Sequence, residues 1–500
     1  MQKIMTPVNR RVWAIFILFS LLFGLLTGLL SGSLQFKKAI GADVSFEDFR
    51  VHMRQRIPAL MLRYRVPGCS IAIVKNSEIL WTGAFGYADV ASGRRLTADT
   101  PMSVQSITKP FTAWGIMRLV EQGILDLDAP IARYLNSWDF PQGKWGEGVT
   151  IRRLLSHTAG MPLGDFTDTY APGENMPSLR EKLSQEAVMV QEPGSEFSYS
   201  NVGYHLLELL IEDVTGQKFA DYMHSEVFSP LGMKTAAFDA GSALTPCPPT
   251  GYNLKGRPVP VYIYPEKASG GLFATAADIG RFAAASAIKN PVLGFESVEL
   301  MYEPVTSKIG IYGLVFAGYG LGHYIETLGN GLDSVSHGGQ GNGIMTHLQI
   351  VPETGDALVI LTNSQRSWPL IAHILRDWAQ WRGFRSVGMT RIIWGQWGLC
   401  GLIGLLISAS LLIIIKLVSS SQGQDRWGCR VTKLGIAILL LGSVIWGACQ
   451  KYLFLSSVFP VLSVWLAGAI LQFAIILFIQ TVFPLSRQNR RGALYDRRKL

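Results

Sequence analysis

Residues 104–123 read VQSITKPFTAWGIMRLVEQG, and how this stretch is read decides the fold. From Ile107 to Gly123 the apolar residues recur at helical spacing, and Gly123 supplies the stop. Pro110 falls in the first turn, where a missing N–H breaks no intrahelical bond. Ser106 and Lys109 stand at the start of this helix as an S-x-x-K pair. Positions three apart share a helical face, so the amine reaches the hydroxyl from the next turn. A lysine can act as base to a serine when burial and nearby cations lower its pKa. A serine at a helix start also lies among free backbone N–H groups, which suit a developing oxyanion.

The same spacing recurs at Ser286 and Lys289, inside an Ala-rich helical run, and there it reads as packing or surface. A second element is Tyr199-Ser200-Asn201, preceded by Pro193-Gly194 and Phe197. A phenol can move protons where neighbouring cations hold its pKa down, and an asparagine can donate to a substrate carbonyl and fix the lysine. Tyr134-Leu135-Asn136 has the same form at the polar end of a short helix and reads as structural. The third element is His337-Gly338-Gly339-Gln340, just before a late pair of strands. Two glycines let a substrate backbone lie against the strand edge, and the Gln340 N–H can be a second oxyanion donor. His157, within LLSHTAG, has no partner in sight and reads as a loop residue. There is no G-x-S-x-G, H-E-x-x-H, C-x-x-C or G-x-x-x-x-G-K-[ST], and the eight histidines show no metal-ligand spacing. No metal and no cofactor is expected.

Around these elements the chain alternates strands and helices. Ser45 caps an amphipathic helix running to Arg65, and residues 68–89 form two strands joined at Asn76-Ser77. Residues 201–216 form another helix with a Gly end. GIMTHLQIVP and ALVILTNS form a second strand pair, followed by a helix over 369–382. The prediction is an α/β (α+β) domain over 43–386: a mixed, antiparallel sheet closed by both ends of the domain and flanked by helices, with an inserted helical lobe. Cys69, in an apolar strand, reads as a buried thiol rather than half of a bridge with Cys247.

The chain has 500 residues, 48% hydrophobic and only 16% charged, which excludes a disordered protein. Five cysteines exclude a disulfide-stapled scaffold. Much of the apolar excess lies in uncharged runs. Residues 12–36 carry no charge and follow Lys3, Arg10 and Arg11, so segment 1–37 is a signal peptide or an N-terminal anchor, with Ser31-Gly32-Ser33 as small residues for cleavage. Spans are predicted at 392–415, 434–455 and 459–483, followed by a basic tail at 484–500. The net charge of +9 sits beside these runs: their flanks hold 14 basic and 2 acidic residues, against 31 and 34 in residues 12–415. That distribution argues against nucleic acid and for lipid. By the positive-inside rule the N-terminus, the Arg426/Arg430 loop and the tail are cytoplasmic, and residues 38–390 lie outside the cytoplasmic membrane.

With these motifs in order, the chain resembles the serine β-lactamase and penicillin-binding-protein superfamily, on its class C side. Supporting stretches are TIRRLLSHTAGMP, PGSEFSYSNVGYHLLELLIEDVTG, SPLGM and GGLFATAADIGRF, and the likeness covers residues 45–382. It implies a β-lactamase/transpeptidase-like fold and a serine hydrolase working through an acyl-enzyme. Ser106 would be the nucleophile, Lys109 its base and Tyr199 the proton carrier. Asn201 would meet the substrate, and the N–H groups of Ser106 and Gln340 would form the oxyanion hole. His337 replaces the lysine of the family's K-T-G, which weakens the case for binding a substrate carboxylate. With three C-terminal spans, the chain is also similar to the membrane-bound prodrug-activating peptidases of nonribosomal peptide pathways, such as the colibactin-maturing peptidase. That likeness implies cleavage of a small peptide or acyl-amino-acid amide next to a D-residue. The alternatives are a DD-peptidase, β-lactamase or esterase of the same fold, or a non-catalytic receptor that is only acylated.

Overall fold

The computed structural model describes residues 7–31, 40–42, 44–140, 143, 145–165, 167–238, 244–418, 427–450 and 453–482. The chain divides into two compact units, residues 38–392 and residues 1–37 with 393–500.

The larger unit is built on an eight-stranded sheet. Its strands are β1 (Gly68–Lys75), β2 (Glu78–Asp89), β3 (Arg94–Arg95), β4 (Gly318–Tyr319), β5 (Tyr324–Thr327), β6 (Asp333–Gly341), β7 (Ile344–Val351) and β8 (Asp356–Thr362). Their spatial order is β3-β2-β1-β8-β7-β6-β5-β4, antiparallel throughout. β7 and β8 are buried along their whole length and β1 up to Lys75. Layers on both faces explain why these strands are near-continuous apolar runs. Asn76 and Ser77 turn β1 into β2 with φ of 50° and 62°, the two-residue hairpin that matches strand twist. β1 pairs with β8 from Cys69↔Thr362 to Val74↔Ala357, so both ends of the domain meet at the sheet centre, as expected.

Two helices cover one face, α2 (Phe46–Tyr64) and α6 (Trp368–Trp381), and Phe49 stacks on Trp381 at 4.3 Å. The Ser45 hydroxyl caps α2 through the Asp48 N–H. The other face carries α5 (Ala276–Ala285), whose Gly280 lies over Ala72 and Ile79. The lobe between β3 and β4 contains α3 (Thr108–Glu121) and α4 (Val202–Thr215), the latter closed by Gly216 at φ 68°. Phe111 and Trp114 of α3 meet Phe282 of α5 at 4.0 and 4.8 Å, joining lobe and sheet in one core. Cys69 is a buried free thiol and Cys247 an exposed one, so they form no bridge.

The smaller unit contains α1 (Pro7–Leu30), the length of α7 (Arg391–Val418) beyond Ile392, α8 (Trp427–Cys449) and α9 (Leu462–Val482). Each is long and apolar enough to cross a bilayer, which takes about 20 residues as a helix. Small residues bring α1 against α7: a Cβ on Gly404 would stand 2.3 Å from the Ser20 carbonyl oxygen and 2.9 Å from Gly24 Cα. Cys400 and Ile403 of α7 pack with Leu462, Leu466 and Ala469 of α9. The second C-terminal helix starts at Trp427, ahead of the predicted 434. Its early cation is accommodated, because Arg430 Nη2 donates to the Thr481 carbonyl at 2.7 Å. Lys3, Gly32, Ser33, Asp425, Arg426, Lys451 and the tail at 484–500 lie outside the described residues.

Candidate active site

Ser106 does not sit in α3 itself but on a single 3-10 turn, Gln105–Ile107, that leads into it. The turn starts with Gln105 in the left-handed region, φ 55°. A non-glycine residue holds this conformation only where its surroundings over-determine it. Here the Gln105 amide donates to Ser103 Oγ at 2.8 Å and its Oε1 accepts from the Tyr264 hydroxyl at 3.1 Å. The result is a half-buried Ser106 one turn from a fully buried Lys109.

Lys109 Nζ has three neighbours: Asn201 Oδ1 at 2.8 Å, the Ser269 carbonyl at 2.8 Å and Ser106 Oγ at 3.2 Å. Burial pushes its pKa well below the ordinary lysine value. A neutral amine has two N–H donors and one lone pair. The two obligate acceptors take the N–H groups, and the lone pair is left for the Ser106 O–H. Burial alone suffices for this; the neighbouring cations assumed from the sequence are not needed.

Tyr199 completes the set. Its ring lies 4.9 Å from Lys109 Nζ, and its hydroxyl faces Ser106. Burial pushes the phenol well above its usual pKa, with Ser106 opposing. The expectation of a cation-lowered phenol is therefore corrected: burial raises the Tyr199 phenol rather than cations lowering it. Asn201 immediately precedes α4, which sets its amide on Lys109. His157 is buried at φ 58°, and its Nδ1 accepts the Ser200 N–H at 3.1 Å while its ring packs on Tyr199 at 4.3 Å. It shapes the Tyr199–Asn201 segment from behind.

His337, Gly338, Gly339 and Gln340 lie inside β6, not before the strand pair. β5 pairs with β6 only as far as Ser336, so beyond it that edge has no ladder partner among the described residues. The glycines serve the protein's own packing rather than clearance for a substrate backbone. A Cβ on Gly339 would stand 2.3 Å from the Val104 carbonyl oxygen, and one on Gly338 would stand 2.9 Å from the Trp368 ring. Their absence lets β6 press onto the turn that carries Ser106. The His337 ring is buried among Tyr199, Tyr319 and Tyr324. Nδ1 bonds the Gly338 carbonyl at 2.8 Å, and Nε2 accepts from the Tyr319 hydroxyl at 3.2 Å. Burial holds its pKa well below the usual histidine value, so it presents no cation.

Gln340, Asn201 and Ser106 line one small cavity together with Gln105, Asp165, His205, Tyr264, Glu266, Ser269 and Gly270. Sequence reasoning assigned no role to Gln105, Ser269, Glu266 or Tyr319. Ser269 lies beside GGLFATAADIGRF, a stretch noted without a role, and its part is played by a backbone carbonyl, which no residue pattern reveals. That carbonyl is held in place by Glu208, whose buried Oε2 accepts the Lys267 and Ala268 N–H groups at 2.6 and 2.8 Å. The two look-alike motifs lie elsewhere. Ser286 Oγ donates to Ala283 within the α5 terminus and Lys289 is exposed, while the Tyr134 hydroxyl accepts the Asp126 N–H. Glu186, His205 and Glu266 bring one ligand atom each within 4.8 Å, but Lys182 Nζ already occupies Glu186 at 2.7 Å.

The β-lactamase family model matches residues 53–378. Penicillin-binding protein 4 of Amycolatopsis lactamdurans is 28% identical over 341 residues, 65% of this chain and 88% of that protein. Among solved structures, the octameric penicillin-binding protein homologue from Pyrococcus abyssi aligns with a TM-score of 0.59 and 26% identity, covering 69% of this chain and 78% of that one. SurE in complex with D-Leu aligns with a TM-score of 0.55 and 27% identity, covering 68% and 77%. A sheet closed by both ends of the domain, a helical lobe set into it and a match over most of the larger unit lead to one conclusion: the chain belongs to the β-lactamase family and is a serine hydrolase.

Proposed function

We propose that this chain is a membrane-anchored serine peptidase that cleaves an amide next to a D-amino acid, removing a leader from a secreted nonribosomal-peptide-type precursor outside the cytoplasmic membrane. The observation that carries the acyl-enzyme part is the Lys109 amine, held by Asn201 and Ser269 with Ser106 at 3.2 Å. In this mechanism Ser106 Oγ attacks the scissile carbonyl while its proton passes to Lys109 Nζ. The oxyanion is received by the N–H groups of Ser106 and Gln340. Tyr199, facing Ser106, passes a proton to the departing nitrogen, the C–N bond breaks and an ester on Ser106 remains. Lys109 returns the serine's proton to Tyr199; a water then attacks the ester as its proton passes through Tyr199 and Lys109 to Ser106 Oγ, the acyl C–O bond breaks and the acid is released.

Two observations favour a D-residue amide over a β-lactam or a free D-Ala terminus, and a third supports the anchoring. His337 is buried, and burial holds its pKa well below the usual histidine value, where the resembled K-T-G pattern would place a lysine, so no cation there meets a substrate carboxylate. The relative SurE is known in complex with D-Leu. Four apolar helices and the flanking basic residues fit an anchored enzyme with its catalytic unit outside. The likeness to penicillin-binding proteins sustains a second reading, a cell-wall DD-peptidase. The test is fluorophosphonate labelling of the full chain in detergent, followed by turnover. Labelling should vanish in Ser106→Ala and persist in Ser286→Ala, and D-aminoacyl amides should be cleaved while muropeptides are not. Undiminished labelling of Ser106→Ala rejects the nucleophile, and cleavage of muropeptides alone selects the second reading.

A further inference from the structure

Glu266 is 3% exposed, yet its Oε1 has no hydrogen-bond partner, and the side chain lines the cavity that contains Ser106. A buried carboxylate oxygen without a donor is costly and rare in a folded protein. The surroundings do not neutralise it. Lys182 is shared by Glu186 at 2.7 Å and Asp168 at 3.0 Å. His205 Nδ1 stands 3.8 Å from Glu266 Oε1, beyond hydrogen-bond reach, while its Nε2 is engaged with Ser269 Oγ at 2.9 Å. Burial keeps His205 uncharged, with its pKa near 3, and keeps Lys109 uncharged as well. Asp165, on the same cavity wall, is held ionised by the Thr167 N–H and hydroxyl. Glu266 itself is raised to about 7 by burial, so a cation beside it would draw it into the charged form. The wall next to the nucleophile is thus acidic, with one carboxylate oxygen aimed inward and unspent.

The geometry points to Glu266 as a specificity-determining residue that receives a protonated primary amine on the acyl residue of the substrate. This rests on the acyl-enzyme reading of Ser106 and sharpens its substrate class: the residue whose carbonyl is attacked carries a free ammonium, not an N-acyl cap. An α-amine has a pKa of about 8 and is charged at neutral pH. Its three N–H donors would satisfy Glu266 Oε1 and pair with the acidic wall. A divalent cation is the weaker occupant, since Glu186 is already paired with Lys182 and His205 Nε2 with Ser269.

The experiment is protection of Ser106 from fluorophosphonate in the full-length protein, which needs no turnover. D-alaninamide and N-acetyl-D-alaninamide are compared as protectors at pH 7, in wild type and in Glu266→Gln. The expected result is that the free amine protects at a concentration at least tenfold lower than the acetylated one, and that Glu266→Gln brings the two together. The ratio is read within each protein, so it does not depend on basal labelling, and the wild-type comparison stands even where the variant does not fold. Equal or better protection by the acetylated amide overturns the proposal. So does protection by zinc chloride with none by D-alaninamide. Absence of labelling at Ser106 is a different failure, which removes the acyl-enzyme reading itself.

Discussion

Ser106–Lys109 and Ser286–Lys289 share one spacing and differ in everything around it. In the first pair the serine stands on a 3-10 turn ahead of its helix, and the lysine is fully buried under Tyr199, Asn201 and the Ser269 carbonyl. In the second the serine caps the end of α5 and the lysine is in solvent. Spacing brings an amine near a hydroxyl in both. Only desolvation turns one amine into a base, and desolvation is a property of the fold around the motif rather than of the motif.

The contrast is sharpest in the rate of acylation. Lys109→Ala should slow fluorophosphonate or substrate acylation by roughly 10³ to 10⁴, the upper range for a positioned base, while Lys289→Ala leaves it unchanged. Equal effects of the two substitutions would erase the distinction. Stability carries the next largest difference. Lys109 is protonated when unfolded and neutral when folded, because its folded pKa lies well below the unfolded value near 10.4. Between those two values the unfolded state binds one more proton, so stability rises with pH by about 1.4 kcal/mol per unit from this residue and falls as the solution is acidified. Lys109→Met should remove that slope in denaturant titrations across pH, and Lys289→Met should not. An unchanged slope in Lys109→Met would mean that the amine stays charged in the fold. The smallest effect belongs to Ser286→Ala, which loses one hydrogen bond to Ala283 and should cost about 0.5–1.5 kcal/mol with activity intact.

The same lesson separates what was legible in the sequence from what was not. Periodicity and caps located α2, α3, α4 and α6, and the Asn76-Ser77 turn located the first hairpin, because those signals are local. The pairing of Ser106, Lys109, Tyr199 and Asn201 was readable from two short motifs in order. Local signals failed where the cause was distant. His337 looked like a loop residue before a hairpin, but it belongs to β6, whose partners are β7 beyond it and β5 before it. Its glycines looked like room for a ligand, whereas they answer Val104 and Trp368, far away in the chain. Gln105 carried no pattern at all: its left-handed backbone is sustained by Ser103 and Tyr264. The second C-terminal helix starts earlier than predicted, because Arg430 read as a loop charge, while it is satisfied by a carbonyl of a neighbouring helix.

The pairing of β1 with β8 has a consequence for biosynthesis. Cys69 leaves the ribosome long before Thr362, its partner across the sheet, so the central strand must wait with one edge bare until nearly the whole domain has been made. Such late, long-range closure slows folding and leaves an aggregation-prone intermediate in the interval. Nascent chains stalled before residue 356 should therefore be unable to complete the sheet, and the first membrane helix after the domain, starting at Arg391, follows soon after closure becomes possible.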